Sequence, residues 1–128
     1  MKSYTDIEQS KVLAKILPLE SADMYYWCGE DLRIGGHKAM VMDFDIPCWS
    51  LAALLEILPK HIKLIHGTSE TPYCLKFDYQ FDNYKIYYIS IYDSLCDHYA
   101  SIYLTLENKS FVDACVETIC ELHKKNLI

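Results

Sequence analysis

Arginine is nearly missing from this chain. Arg33 is the only one, and the twelve Lys and Arg side chains together are outnumbered by eighteen Asp and Glu, for a formal net charge of −6. Affinity for a phosphate backbone comes mainly from clustered cations, so the composition argues against nucleic acid as a partner. Long apolar runs are missing too, and none approaches the roughly 20 residues that cross a bilayer. The opening MKSYTDIEQS has one lysine but no apolar h-region, so neither a membrane span nor a secretory leader is expected. A cytoplasmic location follows as the expectation. Glycine and proline are scarce, at four each, which leaves little material for a linker. The chain holds no repeat, no low-complexity tract and no block of like charge. At 128 residues it is long enough to close one core, so residues 1–128 are expected to form a single domain.

Several chemical signatures are absent as well. There is no CxxC pair, no GxSxG elbow, no EF-hand spacing and no phosphate loop. Six cysteines in a leaderless chain are expected to be reduced thiols acting as small hydrophobes. A zinc reading would use Cys120 and His123, three apart on a helix, with Cys115 pointing elsewhere. Cys96 with His98, or Cys28 with His37, would then have to complete the set. A cysteine nucleophile would need one of His37, His61, His66, His98 or His123 as its base. Glu30, Asp31, Asp43 and Asp45 could offer oxygen ligands, but a solvated acidic loop is the simpler account, and GGHK at 35–38 reads as a turn. No metal or cofactor is expected, and whether the chain is an enzyme stays open.

What is present is patterned. A helix is predicted over 6–17, with Thr5 and Glu8 as a capping box, Pro18 as its stop, and Val12, Leu13, Ile16 and Leu17 on its apolar side. The stretch ADMYYWCGEDLRIGGHKAMVMDFD reads as one or two short strands joined by glycine turns. Tyr73, Leu75, Phe77, Tyr79 and Phe81 alternate with polar residues as a strand with one buried side. Asp82 and Asn83 form the turn, and YKIYYISIY is the returning strand. A third strand is plausible over 99–106. The last helix starts at Ser110, with Val112, Cys115, Val116, Ile119 and Leu122 as its stripe and Lys124 and Lys125 at the end that the helix dipole favours for cations.

The most insistent stretch is DIPCWSLAALLEILP, residues 45–59. As a helix it would place Leu51, Leu54, Leu55 and Leu58 on one side, with Pro47 near its start and Pro59 at its end. A helix so apolar is expected in the core, and the sharper alternative is a surface that docks into a partner's groove. The order of elements predicts an α+β fold: a mainly antiparallel sheet with about three helices packed on one face, in a single two-layer domain.

Such a fold leaves one sheet face open, and tyrosine is abundant at eleven copies. If Tyr73, Tyr79 and Phe81 face the helices, Tyr87 and Tyr103 face outward, and that face, or the neighbourhood of Trp27 and Trp49, is a candidate surface for a protein partner or a second copy. Ordinary cross-strand packing is the competing account.

IEQSKVLAKI, SADM, PCWSLAALLEILP and DACVETICELHKKNLI together resemble a family of small uncharacterised proteins of gut bacteria and their phages and mobile elements. The resemblance implies a cytoplasmic accessory protein of mobile-element origin, and it carries no catalytic or binding residues with it. The functional expectation is a non-enzymatic protein-interaction module whose partner is another protein or a second copy in a homodimer. The alternatives are a small enzyme or metal protein with a Cys and His site, or an acidic decoy.

Overall fold

The expected signals at Ser110 are those the molecule uses. In the computed structural model, which describes residues 1–40, 44–66, 68–90 and 102–128, the Ser110 hydroxyl accepts the Asp113 amide at 3.2 Å and opens α3, Phe111–Lys124. All five residues of the expected stripe are buried, together with Ala114 and Thr118. α3 lies over a four-stranded antiparallel sheet of β4 (His61–His66), β5 (Ser69–Gln80), β6 (Asn83–Ser90) and β7 (Ile102–Asn108), in that order. The fold is α+β. The hairpin and third strand appear as expected within the described residues, whereas β4 has no counterpart in the sequence reading.

The expected single sheet is two. A smaller antiparallel sheet forms from β1 (Met24–Trp27), β2 (Asp31–Ile34) and β3 (Ile46–Cys48), in the order β2-β1-β3. Pro47 sits in β3 opposite Tyr25 rather than at a helix start. Having no N–H, it is tolerated in so short a strand at the sheet margin. Helix α2, Leu51–Ile57, is capped by Ser50, whose hydroxyl accepts the Ala53 amide at 3.2 Å. Leu54 and Leu58 are fully buried while Leu51 and Leu55 are half-buried and Ala52 and Glu56 are exposed, so the leucine-rich run is core on one side only.

Helix α1, Ile7–Ala14, starts one residue later than Thr5 and Glu8 would have it. Asp6 and Gln9 form the capping box: the Asp6 carboxylate accepts the Gln9 amide at 2.8 Å, and the Gln9 side chain accepts the Asp6 amide at 3.1 Å. Thr5 is spent elsewhere. Its backbone N–H donates to Trp49 O at 3.0 Å, and its buried hydroxyl meets Ser10 Oγ at 2.7 Å and accepts the Trp49 amide at 3.2 Å. That anchoring turns Ser10 inward with Leu13 and leaves Val12, expected on the buried stripe, 47% exposed.

The Tyr26 hydroxyl ties the small sheet to the same point by donating to Thr5 O at 2.6 Å, and Trp49 Nε1 donates to Ser21 Oγ at 2.9 Å. Lys2 reaches from the N-terminus to α3, donating to Asp113 at 2.8 Å, Gln9 at 2.8 Å and Asp6 at 3.1 Å. Burial pulls its ammonium pKa down, but the bonds to Asp113 and Asp6 outweigh that and hold it above the usual lysine value. Opposite in sign, the Asp6 carboxyl lies below its usual range, first because it accepts the Gln9 amide and also because Lys2 is beside it.

The β5–β6 hairpin turns at Phe81 and Asp82, with φ of 52° and 62°, and not at Asp82 and Asn83. In that register Tyr79 lies opposite Tyr84 and Leu75 opposite Tyr88, which keeps one apolar face continuous. Two positive φ values in succession define the turn type that suits hairpins and favours Asn-Gly.

Two outcomes are expected in denaturant titrations. The double change Phe81→Asn with Asp82→Gly raises stability by about 1 kcal/mol, because both replacements tolerate left-handed backbone better. Thr5→Val lowers it by roughly 1 to 3 kcal/mol, because the buried Trp49 amide loses its acceptor.

Candidate interaction surface

Residues on the helix side of β5 recede from the core in regular steps. Tyr73 is 8% exposed, Leu75 is half-buried, Phe77 is 45% exposed and Tyr79 is 55% exposed. The cause is length. Twelve strand residues extend roughly 40 Å, whereas the fourteen residues of α3 extend about 21 Å. α3 runs back along the sheet from the end where β7 closes on Tyr84, so the hairpin projects beyond the first turn of the helix.

Phe111, the first residue of α3, covers part of that projection. Its ring stacks on Tyr84 with centroids 4.9 Å apart and planes 7° apart, and it meets Phe77 nearly edge-on at 5.6 Å and 82°. Tyr79 leans on Tyr84 at 4.6 Å and 44°. The four rings line a shallow open depression of about 330 Å³. Tyr79 is steadied at both ends: Asp78 accepts its amide at 2.8 Å and Asp82 accepts its hydroxyl at 3.4 Å. At the tip of the hairpin Phe81 is 94% exposed. The surface is therefore mainly aromatic, with the Asp82 carboxylate at the Tyr79 hydroxyl.

The residues singled out from sequence lie apart from it and from one another. Tyr87 is on the opposite face of the sheet, half-buried between its register partners Lys76 and Thr105, with Lys85 Nζ 5.7 Å from its ring centre. Tyr103 is on the helix side: a register shift at Tyr88 and Ile89 pairs those residues with Leu104 and Ile102 and turns the intervening Tyr103 inward. Its ring lies 5.8 Å from that of Tyr73, under Lys125. Trp27 belongs to the small sheet, 40% exposed, with the Arg33 guanidinium 5.0 Å from its ring centre. Trp49 is fully buried. The supposition that Tyr79 and Phe81 face inward is corrected by the same length argument, and Phe111 was missed although its place ahead of the α3 stripe was visible. The supposed aromatic open face instead carries Lys76 and Asp78 beside Tyr87, with Lys85 3.9 Å from Glu107.

Reactive chemistry has little to work with among the described residues. No three His, Cys, Asp or Glu side chains come together there as a metal set. Cys120 is half-buried and His123 exposed, while Cys96, His98 and Asp43 lie outside the described residues. Burial pushes the Cys115 thiol up to about 12 and raises Cys48 and Cys120 as well, opposite to the shift that activates a nucleophile. Cys28 is raised too, by loss of solvent and by the neighbouring Asp45 carboxylate, which accepts its amide at 2.8 Å. A cleft of about 430 Å³ lies between α2 and the turn at Leu19–Ser21, lined in part by Glu20, Asp23 and Glu56. The Asp23 carboxylate is committed within the fold, accepting both the amide and the hydroxyl of Ser50.

No family model, no curated protein and no solved structure matches this chain. The reading of the surface therefore rests on its geometry.

At pH 8, iodoacetamide should leave Cys48 and Cys115 unmodified in the folded protein over a period in which the denatured chain reacts fully. Peptide mapping by mass spectrometry reads the result, and rapid labelling of either residue would contradict their burial.

Proposed function

We propose that the chain is a non-catalytic protein-interaction module that engages a partner through the rings of Phe77, Tyr79, Tyr84 and Phe111. The observation that carries this reading is the aromatic surface that the hairpin extends past the end of α3. Two of its rings are about half exposed on the side of β5 where Tyr73 is buried. Aromatic side chains concentrate at protein interfaces because they bury much area at little conformational cost. Rigid backbone beneath them, three paired strands and a capped helix, lowers the entropy lost on binding. The enzyme alternative is weakened by the upward shifts of the buried thiols. A cytoplasmic setting accords with five described cysteines carried as free thiols. Origin in a mobile element rests on the sequence resemblance alone.

Photo-crosslinking inside cells tests the reading, with the reactive residue placed at position 79 and, as a control, at position 76 on the opposite face. The expected outcome is a discrete adduct from position 79 that is absent from position 76 and is lost when Phe77→Ser is added, with circular dichroism showing that the variant stays folded at the temperature of the experiment. The adduct mass tells a second copy from another protein. Equal or absent labelling at the two positions would reject the surface.

A further inference from the structure

We infer that Cys74 and His61 form a thiol-modification site on the open face of the large sheet, one that takes a small anionic disulfide and becomes S-thiolated. Tyr73 and Ile62 are buried on the helix side of β5 and β4, so their neighbours Cys74, His61, Lys63 and Lys76 emerge on the other side. There Cys74 is half-buried and the other three are exposed. Register makes the pair. His61 lies directly opposite Cys74, and in the next pair along the Leu75 N–H donates to Lys60 O at 2.9 Å. Hydrogen-bonded and non-hydrogen-bonded pairs alternate along an antiparallel ladder, so His61 and Cys74 occupy one of the close, non-hydrogen-bonded positions, with Cα atoms about 4.5 Å apart. Imidazole and thiol therefore stand side by side on one face, within side-chain rotation of each other.

Charge selects the reagent. Lys76 follows Cys74 on the same face of β5, roughly 7 Å along the strand. Lys63 stands diagonally across on β4, opposite Pro72 and within reach of a long side chain. The carboxylates on this face of β5, Glu70 and Asp78, lie one position further out at either end. Cys28, also half-buried, has the reverse setting beside Asp45, Asp31 and Glu30, and Cys48 and Cys115 are fully enclosed. An anionic disulfide is thus drawn to Cys74 and repelled at Cys28. In the exchange the Cys74 thiol gives its proton to the His61 imidazole, and Sγ attacks one sulfur of the disulfide. That S–S bond breaks as the new one forms, and the departing sulfur leaves with the electron pair and takes the proton back from the imidazolium. Cys74 is oxidised, the released half of the disulfide is reduced, and no other reactant is needed.

The full chain at neutral pH is treated with glutathione disulfide, which is anionic, or with cystamine, which is a dication, and each cysteine is followed by acid quenching and peptide mapping in a mass spectrometer. Relative to the denatured chain, the preference of Cys74 for glutathione disulfide over cystamine is expected to rise about tenfold on folding, and that of Cys28 to fall. Lys63→Glu with Lys76→Glu should reverse the preference at Cys74. His61→Asn should slow both reagents there and leave the preference intact, because the imidazole handles the proton and the lysines handle the charge. A Cys74 that reacts with neither disulfide in the folded protein would overturn the site. A preference equal to that of the denatured chain, or one that the lysine changes do not move, would overturn the anionic reagent, and unchanged rates in His61→Asn would overturn the pairing with His61.

Discussion

The apolar side of α3 resting on β6 and β7 is the contact on which the main body of the molecule depends. Val112, Val116, Ile119 and Leu122 are each at most 7% exposed, and burial of such side chains contributes roughly 1.5 to 3 kcal/mol apiece as an upper estimate. Their sum is comparable with the whole net stability of an ordinary domain. Opposite them stand Ile86 and Tyr88, both fully buried, the tyrosine held by its hydroxyl donating to Pro59 O at 2.8 Å. Because the helix rises more slowly per residue than the strand, this contact decides both what is covered and what is left over. The aromatic surface is the remainder.

A second constraint joins the small sheet and the N-terminal segment to that body. Thr5 serves several neighbours at once, pairing with Trp49 through backbone and hydroxyl, with Ser10 through its hydroxyl, and with Tyr26 through its carbonyl. A buried polar residue is tolerable only when its groups are met, and among the described residues no buried side-chain nitrogen or oxygen lacks a partner. Trp49 is fully enclosed for the same reason: its one polar atom reaches Ser21. Lys2, bound to α1 and α3 together, closes the same region from outside.

The chemistry accords with a scaffold. Buried thiols fill space and are held protonated, and carboxylates such as Asp23 and Asp6 cap helix starts or steady short loops. The half-exposed aromatic end, in contrast, contains more ring area than the core needs, held by a register that its own tyrosines reinforce. Rings kept rigid and partly wet are better suited to recognition than to stability.

Local sequence determined the elements whose signals were consistent at every level: α3, with its Ser110 cap and unbroken stripe, the β5–β6 alternation, and with them the α+β class. Of the four leucines expected on the buried side of residues 45–59, Leu54 and Leu58 are enclosed while Leu51 and Leu55 are only half-buried. Only the tertiary structure decided which of two adjacent polar residues caps α1, because Thr5 was taken by Trp49, a partner 44 residues away. The division into two sheets and the place of Pro47 in β3 likewise depend on pairings between distant segments. The same holds for Tyr87 and Tyr103, separated by one register shift, and for Tyr79, whose alternation says inward although no helix reaches it. Periodicity tells which side of a strand a residue takes, but how far along that side the covering layer extends is a property of two elements packed together.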